Sequence, residues 1–299
     1  MIISLPASLG IGEKLSKILG LEHANTDYRI FPDGESYIKF TVSVKGKDVI
    51  LIQTTYPNQD KRLIELLLAI DAAVFYGANS VSAIVPYMAY ARQDRVFIEG
   101  EAVSIRTILR SLRSVGLDRI YVVDIHKENS LKYFNGAAYN IDPTPFFAKV
   151  LRNVISEPMV IAPDLGAERK AELLATLLNT EFVVIKKHRD KRTGEVRHEL
   201  PETLDVRNKD AVIVDDIIST GGTVAKIAKY LKNLNARKVL VVASHGLFVG
   251  DALEKLKSSG VDRVYVLKTV DISISSEFVS ILDPTELIAG RIRETFSSK

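Results

Sequence analysis

Short apolar runs rich in Val and Ile recur along the chain at residues 49–52, 81–85, 120–123, 159–162, 182–185, 211–214, 239–243 and 264–267. None alternates apolar with polar, so each predicts a strand buried on both faces. Between them lie stretches of helical spacing. Residues 63–76 are mostly apolar but contain Glu65 and Asp71, which predicts a buried helix and not a membrane span. Residues 224–234 predict a second helix. Buried strands alternating with helices predict an α/β protein with parallel sheets.

The pattern also repeats. Gly116-Leu117-Asp118-Arg119-Ile120-Tyr121-Val122-Val123 is echoed by Gly260-Val261-Asp262-Arg263-Val264-Tyr265-Val266-Leu267. Lys47-Asp48 stands before one strand as Lys209-Asp210 stands before another, and Ala78-Asn79 parallels Ala236-Arg237. The echoes keep their order, which predicts a duplicated α/β domain. Two prolines at residues 140–145 mark the boundary. The expected division is residues 1–142, residues 143–285, and a final helix over 286–299 packing back on the first domain.

Composition narrows the class. A chain of 299 residues with 46% apolar content suits about two packed domains. The net charge of +3 is spread out, with no basic face or arm of the kind nucleic-acid binders carry. There is no cysteine, which excludes disulfides, thiolate catalysis and Cys-ligated zinc. The first residues lack a basic segment and a long apolar core, so they do not read as a signal peptide. The expectation is a cytoplasmic protein that engages neither nucleic acid nor membrane.

The chemistry concentrates at Val212-Ile213-Val214-Asp215-Asp216-Ile217-Ile218-Ser219-Thr220-Gly221-Gly222-Thr223. Glycines let backbone N–H groups approach a ligand, and a helix N-terminus follows, which suits a phosphate. Two carboxylates repel phosphate but accept hydrogen bonds from hydroxyls. Ribose 5-phosphate carries both groups. The plainer alternative is a strand–turn–helix junction in which Thr223 is an N-cap and the aspartates end the strand. The string is not a Walker A loop, since no Lys follows Gly221-Gly222. Its counterpart in the first half, Gln53-Thr54-Thr55-Tyr56-Pro57, has neither carboxylate nor glycine.

Other strings offer two readings each. Phe31-Pro32-Asp33-Gly34-Glu35 is a turn with a packed aromatic, or a ring and carboxylates for a nucleobase. Tyr90-Ala91-Arg92-Gln93-Asp94-Arg95 follows a strand and is either an ion-paired loop or a polyphosphate contact. Asp124-Ile125-His126 closes a strand with carboxylate and imidazole on one face, and its His is either structural or a metal or phosphate ligand. Ala162-Pro163-Asp164 adds a carboxylate after a strand in the second half. Lys186-Lys187-His188-Arg189, followed by a polar segment, is a solvated hairpin or loop, or a basic lid.

Taken in order over residues 5–294, these strings resemble the ribose-phosphate diphosphokinases (phosphoribosyl pyrophosphate synthetases), the archaeal-type branch above all. The resemblance implies an α/β fold of two tandem, internally duplicated phosphoribosyltransferase-like domains, each a mainly parallel sheet flanked by helices. It implies diphosphoryl transfer from ATP to the C1 hydroxyl of ribose 5-phosphate, with Mg²⁺ as cofactor. Asp215, Asp216, Ser219, Thr220, Gly221, Gly222, Thr223 and Arg189 would hold ribose 5-phosphate. Phe31, Asp33, Gly34, Glu35, Arg92, Gln93, Asp94 and His126 would bind ATP. His126, Asp164 and Asp124 would serve the metal, and Lys187 and Arg189 would be catalytic. A homo-oligomer, dimer or higher, is implied, with the adenine loop acting in trans. A phosphoribosyltransferase, or a non-catalytic relative on the same fold, is the alternative.

Three departures stand out. His188 replaces an Arg common in the family, and Ser219 replaces an Asp. Glu99 and Glu101 stand where bacterial relatives carry basic and Ser residues for regulatory ligands, which implies weak or absent allosteric inhibition by ADP.

Overall fold

The computed structural model describes residues 1–189, 196–199, 204–274 and 276–297. They form two compact units. One comprises Met1–Asp142, Lys268–Asp271 and Asp283–Lys299; the other comprises Pro143–Leu267 and Ile272–Leu282.

The N-terminal stretch runs β1 (Ile2–Ser4), α1 (Ile11–Leu19), β2 (His23–Ile30), β3 (Ser36–Phe40), β4 (Asp48–Ile52), α2 (Gln59–Phe75), β5 (Ser80–Val85), α3 (Ser104–Ser114), β6 (Arg119–Val123) and β7 (Ala137–Ile141). The second unit follows with α4 (Thr144–Leu151), β8 (Pro158–Ala162), α5 (Glu168–Leu178), β9 (Phe182–Val184), β10 (Lys186–Arg189), β11 (Val196–Glu199), β12 (Asp210–Ile218), α6 (Gly222–Asn233), β13 (Lys238–Gly246), α7 (Ala252–Ser258), β14 (Arg263–Leu267) and β15 (Val279–Leu282). The last helix, α8 (Thr285–Ser297), belongs to the first unit.

The first sheet has the order β3-β2-β1-β4-β5-β6-β7, parallel throughout except for the β2–β3 hairpin. The second has the order β15-β14-β13-β12-β8-β9 and is wholly parallel. Reversing the second list aligns β9, β8, β12, β13, β14 and β15 with β2, β1, β4, β5, β6 and β7. β10 and β11 form a separate antiparallel pair, Lys187 opposite His198. The inner strands are apolar because helices cover both faces. Leu51, Leu66, Ile70 and Leu109 belong to one core, and Ile161, Ile213, Ile227 and Val241 to the other.

The sequence echoes become identical hydrogen bonds. Asp118 Oδ2 accepts the Val81 N–H at 2.9 Å while the Asp118 N–H returns to the Val81 carbonyl at 2.8 Å. Asp262 and Val239 make the same pair at 2.6 and 2.8 Å. The Asn79 N–H donates to the Lys47 carbonyl at 2.8 Å, and Arg237 to Lys209 at 2.9 Å. Gly116 and Gly260, at φ of +100° and +87°, end the helices that precede these corners. A left-handed glycine after a helix lets the next N–H reach back to a free carbonyl. Leu117 does so to Leu112 at 3.3 Å and Val261 to Leu256 at 3.2 Å.

The apolar runs located β4, β5, β6, β8, β9, β12, β13 and β14, but not β1, β2, β3, β7 or β15. β2 and β3 are half exposed and carry no apolar run. β9 stops at Val184, and Ile185 lies beyond it, fully buried with its N–H on the Ala162 carbonyl at 2.9 Å. β12 runs past the predicted end at residue 214 and includes both Asp215 and Asp216. Among the described residues no helix is long and apolar enough to cross a membrane.

Candidate functional site

In the second sheet the chain passes from β8 outward to β9, then returns to the other side of β8 as β12. Such a reversal opens a crevice at the C-terminal ends of the two strands. The register shows where it opens. Pairing of β12 with β8 ends at Ile213 opposite Ile161, whereas pairing with β13 continues to Ile218 opposite Gly246. Asp215 and Asp216 therefore lie on β12 just beyond the last rung it shares with β8. Asp164 follows β8 and accepts the Gly166 N–H at 2.8 Å.

Protein packs round Asp215, although the residue keeps some accessible surface. Burial, then the charge of Asp216, and more weakly that of Asp164, push its carboxyl well above the usual 3.8. Asp215 Oδ1 accepts the Asp216 N–H at 2.9 Å. Next comes the turn. Gly221, at φ +71°, occupies the position before α6, and no side chain caps that helix. The first N–H groups of α6 are left for solvent or a ligand. A Cβ on Gly222 would meet nothing within 4 Å, so space is open there, while one on Gly221 would meet the Ala252 carbonyl at 3.3 Å. Thr223 does not cap α6, contrary to the plainer reading of this string. Carboxylate acceptors on the strand and N–H donors at the helix N-terminus are thus adjacent.

The matching place in the first unit is filled. Gln53, Thr54 and Thr55 are fully buried. Gln53 Oε1 accepts the Ala7 N–H at 2.9 Å, and the Thr54 N–H donates to the Ala7 carbonyl at 3.0 Å, closing β4 onto the chain after β1. The Thr54 hydroxyl donates to the buried Thr269 carbonyl at 2.6 Å. The Thr55 hydroxyl donates to the Tyr87 carbonyl at 2.6 Å and accepts the Ala89 N–H at 2.7 Å. It thereby organises the loop that leads to Arg92 and Gln93.

Phe31, Asp33, Gly34 and Glu35 form the exposed loop of the β2–β3 hairpin, closed by Ile30 opposite Ser36. The Phe31 N–H donates to the Glu35 carbonyl at 2.8 Å, and Asp33 Oδ1 accepts the Glu35 N–H at 3.2 Å. Arg29 and Tyr37, which the sequence reading passed over, share a hairpin face with Phe31. The Arg29 guanidinium lies 5.2 Å from the Phe31 ring centre and 4.3 Å from that of Tyr37. Their alternation with Tyr28 and Ser36 in a recognised hairpin would have revealed them.

Arg92 is exposed, and Gln93 and Asp94 are half-buried. Glu101 folds back on this loop: its carboxylate accepts the N–H groups of Phe97 and Ile98 at 2.8 and 3.0 Å, bonds that hold it below its usual range. Its charge alone implies only repulsion, whereas the fold gives it two backbone donors. Asp124, at φ +48°, is buried; its N–H donates to the Ile141 carbonyl at 3.0 Å, and the Ile125 N–H donates to Asn140 Oδ1 at 3.0 Å. His126 follows, half-buried. Lys187 and Arg189 lie on β10, but their side chains fall outside the description. Among the described residues no three His, Asp or Glu converge as a ready metal cage. Asp124 in one unit and Asp164 in the other each offer the oxygen donors that Mg²⁺ takes, and Mg²⁺ needs few protein ligands because it keeps phosphates and water.

Two parallel sheets of one order, one with a carboxylate pair ahead of a glycine turn and helix N-terminus, define a tandem phosphoribosyltransferase-type protein. The N-terminal domain of ribose phosphate pyrophosphokinase matches residues 1–116, and the phosphoribosyl transferase domain matches residues 139–279. The ribose-phosphate pyrophosphokinase of Sulfurisphaera tokodaii is 43% identical over 98% of this chain and 100% of its own. That of Saccharolobus solfataricus is 41% identical over 97% and 99%. The crystal structure of phosphoribosylpyrophosphate synthetase from Mycobacterium smegmatis superposes with a TM-score of 0.90 at 28% identity, covering 100% of this chain and 99% of that one. The chain belongs to the ribose-phosphate pyrophosphokinase family.

Proposed function

We propose that this protein transfers the diphosphoryl group of ATP to ribose 5-phosphate, giving phosphoribosyl pyrophosphate and AMP. The observation that carries this reading is end-to-end similarity to ribose-phosphate pyrophosphokinases, covering both domains. The open crevice at Asp215–Thr223 supports the acceptor assignment. The filled counterpart at Gln53–Thr55 fits a first unit that does not bind a second sugar phosphate.

The C1 hydroxyl oxygen attacks the β-phosphorus of ATP. The new O–P bond forms as the bond from the β-phosphorus to the α,β-bridging oxygen breaks. AMP leaves with that oxygen, and the hydroxyl proton passes to water. Asp215 and Asp216 hold the ring hydroxyls. Ser219, Thr220, Gly221, Gly222 and Thr223 hold the 5-phosphate through N–H and hydroxyl donors. Phe31 stacks on adenine, with Asp33 and Glu35 as acceptors for its amine, while Arg92 and Gln93 contact ATP. Asp124, His126 and Asp164 are each assigned to Mg²⁺, which when bound offsets phosphate charge. Lys187 and Arg189 supply cations to the transferring group, where alignment and charge stabilisation do most of the work. We further propose a cytoplasmic homo-oligomer in which the adenine loop serves a neighbouring subunit.

The test is to incubate the protein with ATP, Mg²⁺ and ribose 5-phosphate. AMP is expected only when the sugar is present. A phosphoribosyltransferase would instead consume phosphoribosyl pyrophosphate with a base, and a non-catalytic relative would release no AMP.

A further inference from the structure

We propose that Glu65 is a positioning residue for nucleotide recognition, fixing the β2–β3 hairpin from beneath so that its loop is presented in one orientation. The inference rests on the assignment of Phe31, Asp33 and Glu35 to the adenine.

Glu65 lies on α2 and is fully buried. Four donors from four different parts of the unit saturate it. Its Oε1 accepts the Tyr28 hydroxyl of β2 at 2.8 Å and the Ser36 hydroxyl of β3 at 2.9 Å. Its Oε2 accepts Gln53 Nε2, just past β4, at 2.8 Å and Arg62 Nη1 of α2 at 2.8 Å. A buried carboxylate is costly to desolvate, and an apolar residue of similar volume often serves stability as well or better. Its presence here points to a geometric requirement.

The hairpin supplies that requirement. It lies at the sheet edge, where β3 has a neighbour on one side only, and both its strands are half exposed. Ile38 and Phe40 of β3 pack on the first core further down the strand, and Tyr28 and Ser36 supply polar ties nearer the loop. Ser36 is half of the pair that closes the loop, and Tyr28 sits one same-face step further down. Alternation along a strand sends these two hydroxyls to the α2 side and Arg29, Phe31 and Tyr37 to the other. One face is tied down, and the opposite face carries the aromatic offered to the base. Gln53 extends the tie to the rigid centre of the sheet through its bond to Ala7.

The two oxygens of Glu65 are not equivalent in a test. Arg62 can only donate, and Gln53 already spends its carbonyl oxygen on Ala7. In Glu65→Gln the amide nitrogen must therefore face Tyr28 and Ser36, whose hydroxyls can rotate to accept. The hairpin keeps a weaker, neutral attachment. The double variant Tyr28→Phe/Ser36→Ala removes that attachment altogether and leaves the other two donors in place.

The experiment measures steady-state kinetics for both substrates and calorimetric binding of Mg²⁺–ATP without sugar. For the double variant, KM and Kd for ATP are expected to rise about tenfold, the scale of one to two lost hydrogen bonds. KM for ribose 5-phosphate, and kcat at saturating ATP, should stay within about twofold. Glu65→Gln should fall between wild type and the double variant. Unchanged ATP affinity overturns the proposal, as does a parallel loss for both substrates that tracks a lowered melting temperature. If the double variant does not fold, Tyr28→Phe alone is read by the same criteria, with about a threefold rise expected. Wild-type protein that releases no AMP would instead overturn the functional reading itself.

Discussion

Asp215 sits in surroundings that oppose its charge. Its carboxyl is raised above the unfolded value by burial first and by Asp216 next. A raised carboxyl adds its full stability below the unfolded pKa of about 3.8–3.9 and loses it as pH rises through the folded value. Above that unfolded pKa, folding of the unliganded protein therefore carries a penalty from Asp215. The variant Asp215→Asn should melt above wild type at pH 8, with the gap narrowing toward pH 4, while losing affinity for ribose 5-phosphate. A variant that melts lower at pH 8 would rule this out. The repeated glycines give a second contrast. A Cβ on Gly116 would sit 2.7 Å from Val74 Cγ2, and one on Gly260 2.7 Å from Lys232 Cγ. Both positions have positive φ, but the stem of Lys232 can swing away whereas branched Val74 cannot. Chemical denaturation should find Gly116→Ala costing about 2–3 kcal/mol and Gly260→Ala nearer 1–2 kcal/mol.

At the scale of elements, legibility followed burial. Strands such as β4 and β13 announced themselves because helices on both faces demand unbroken apolar runs, whereas β1, equally inner, has only three residues and did not. The hairpin of β2 and β3 did not, since an edge held by Tyr28, Ser36 and Glu65 needs no such run. The glycine turn after β12 was legible because backbone geometry restricts its residue types. Arg29 and Tyr37 were not, because their partnership with Phe31 exists only once the hairpin forms. The loop from Tyr90 to Glu101 yields a prediction of its own. With Glu101 holding the N–H groups of Phe97 and Ile98, and Glu99 beside them, a regulatory anion finds little welcome. ADP should inhibit competitively with ATP only, and a non-competitive component in initial-rate plots would refute this. For the β10–β11 segment, Lys187→Ala should lower kcat about 10²–10³-fold with ribose 5-phosphate binding nearly intact, by analogy with a lost oxyanion-hole donor. Turnover near wild type would remove Lys187 from the catalytic role.

At the scale of the whole molecule, the first unit is completed by the end of the chain. In α8, Ile288, Ala289 and Ile292 are buried. Arg293 donates to the Ile18 carbonyl at 2.8 Å, Thr295 bonds the Tyr121 hydroxyl at 2.7 Å, and Lys14 pairs with Asp283 at 2.5 Å. Losing two buried isoleucines alone costs about 3–6 kcal/mol, comparable to the stability of a whole domain. Truncation after Leu282 should therefore unfold the first unit, seen as a sharp loss of ellipticity or a separate low-temperature transition. An unchanged melting curve would contradict it.

The same feature reaches back into the birth of the protein. Residues 1–142 leave the ribosome first, yet their fold lacks Thr269, Val270 and α8 until the far end has been made. At about 5–20 residues per second that delay is roughly eight to thirty seconds. Through that interval the nascent amino-terminal half stays incomplete, without the helix that meets Ile18 and Tyr121, and exposed to chaperones there.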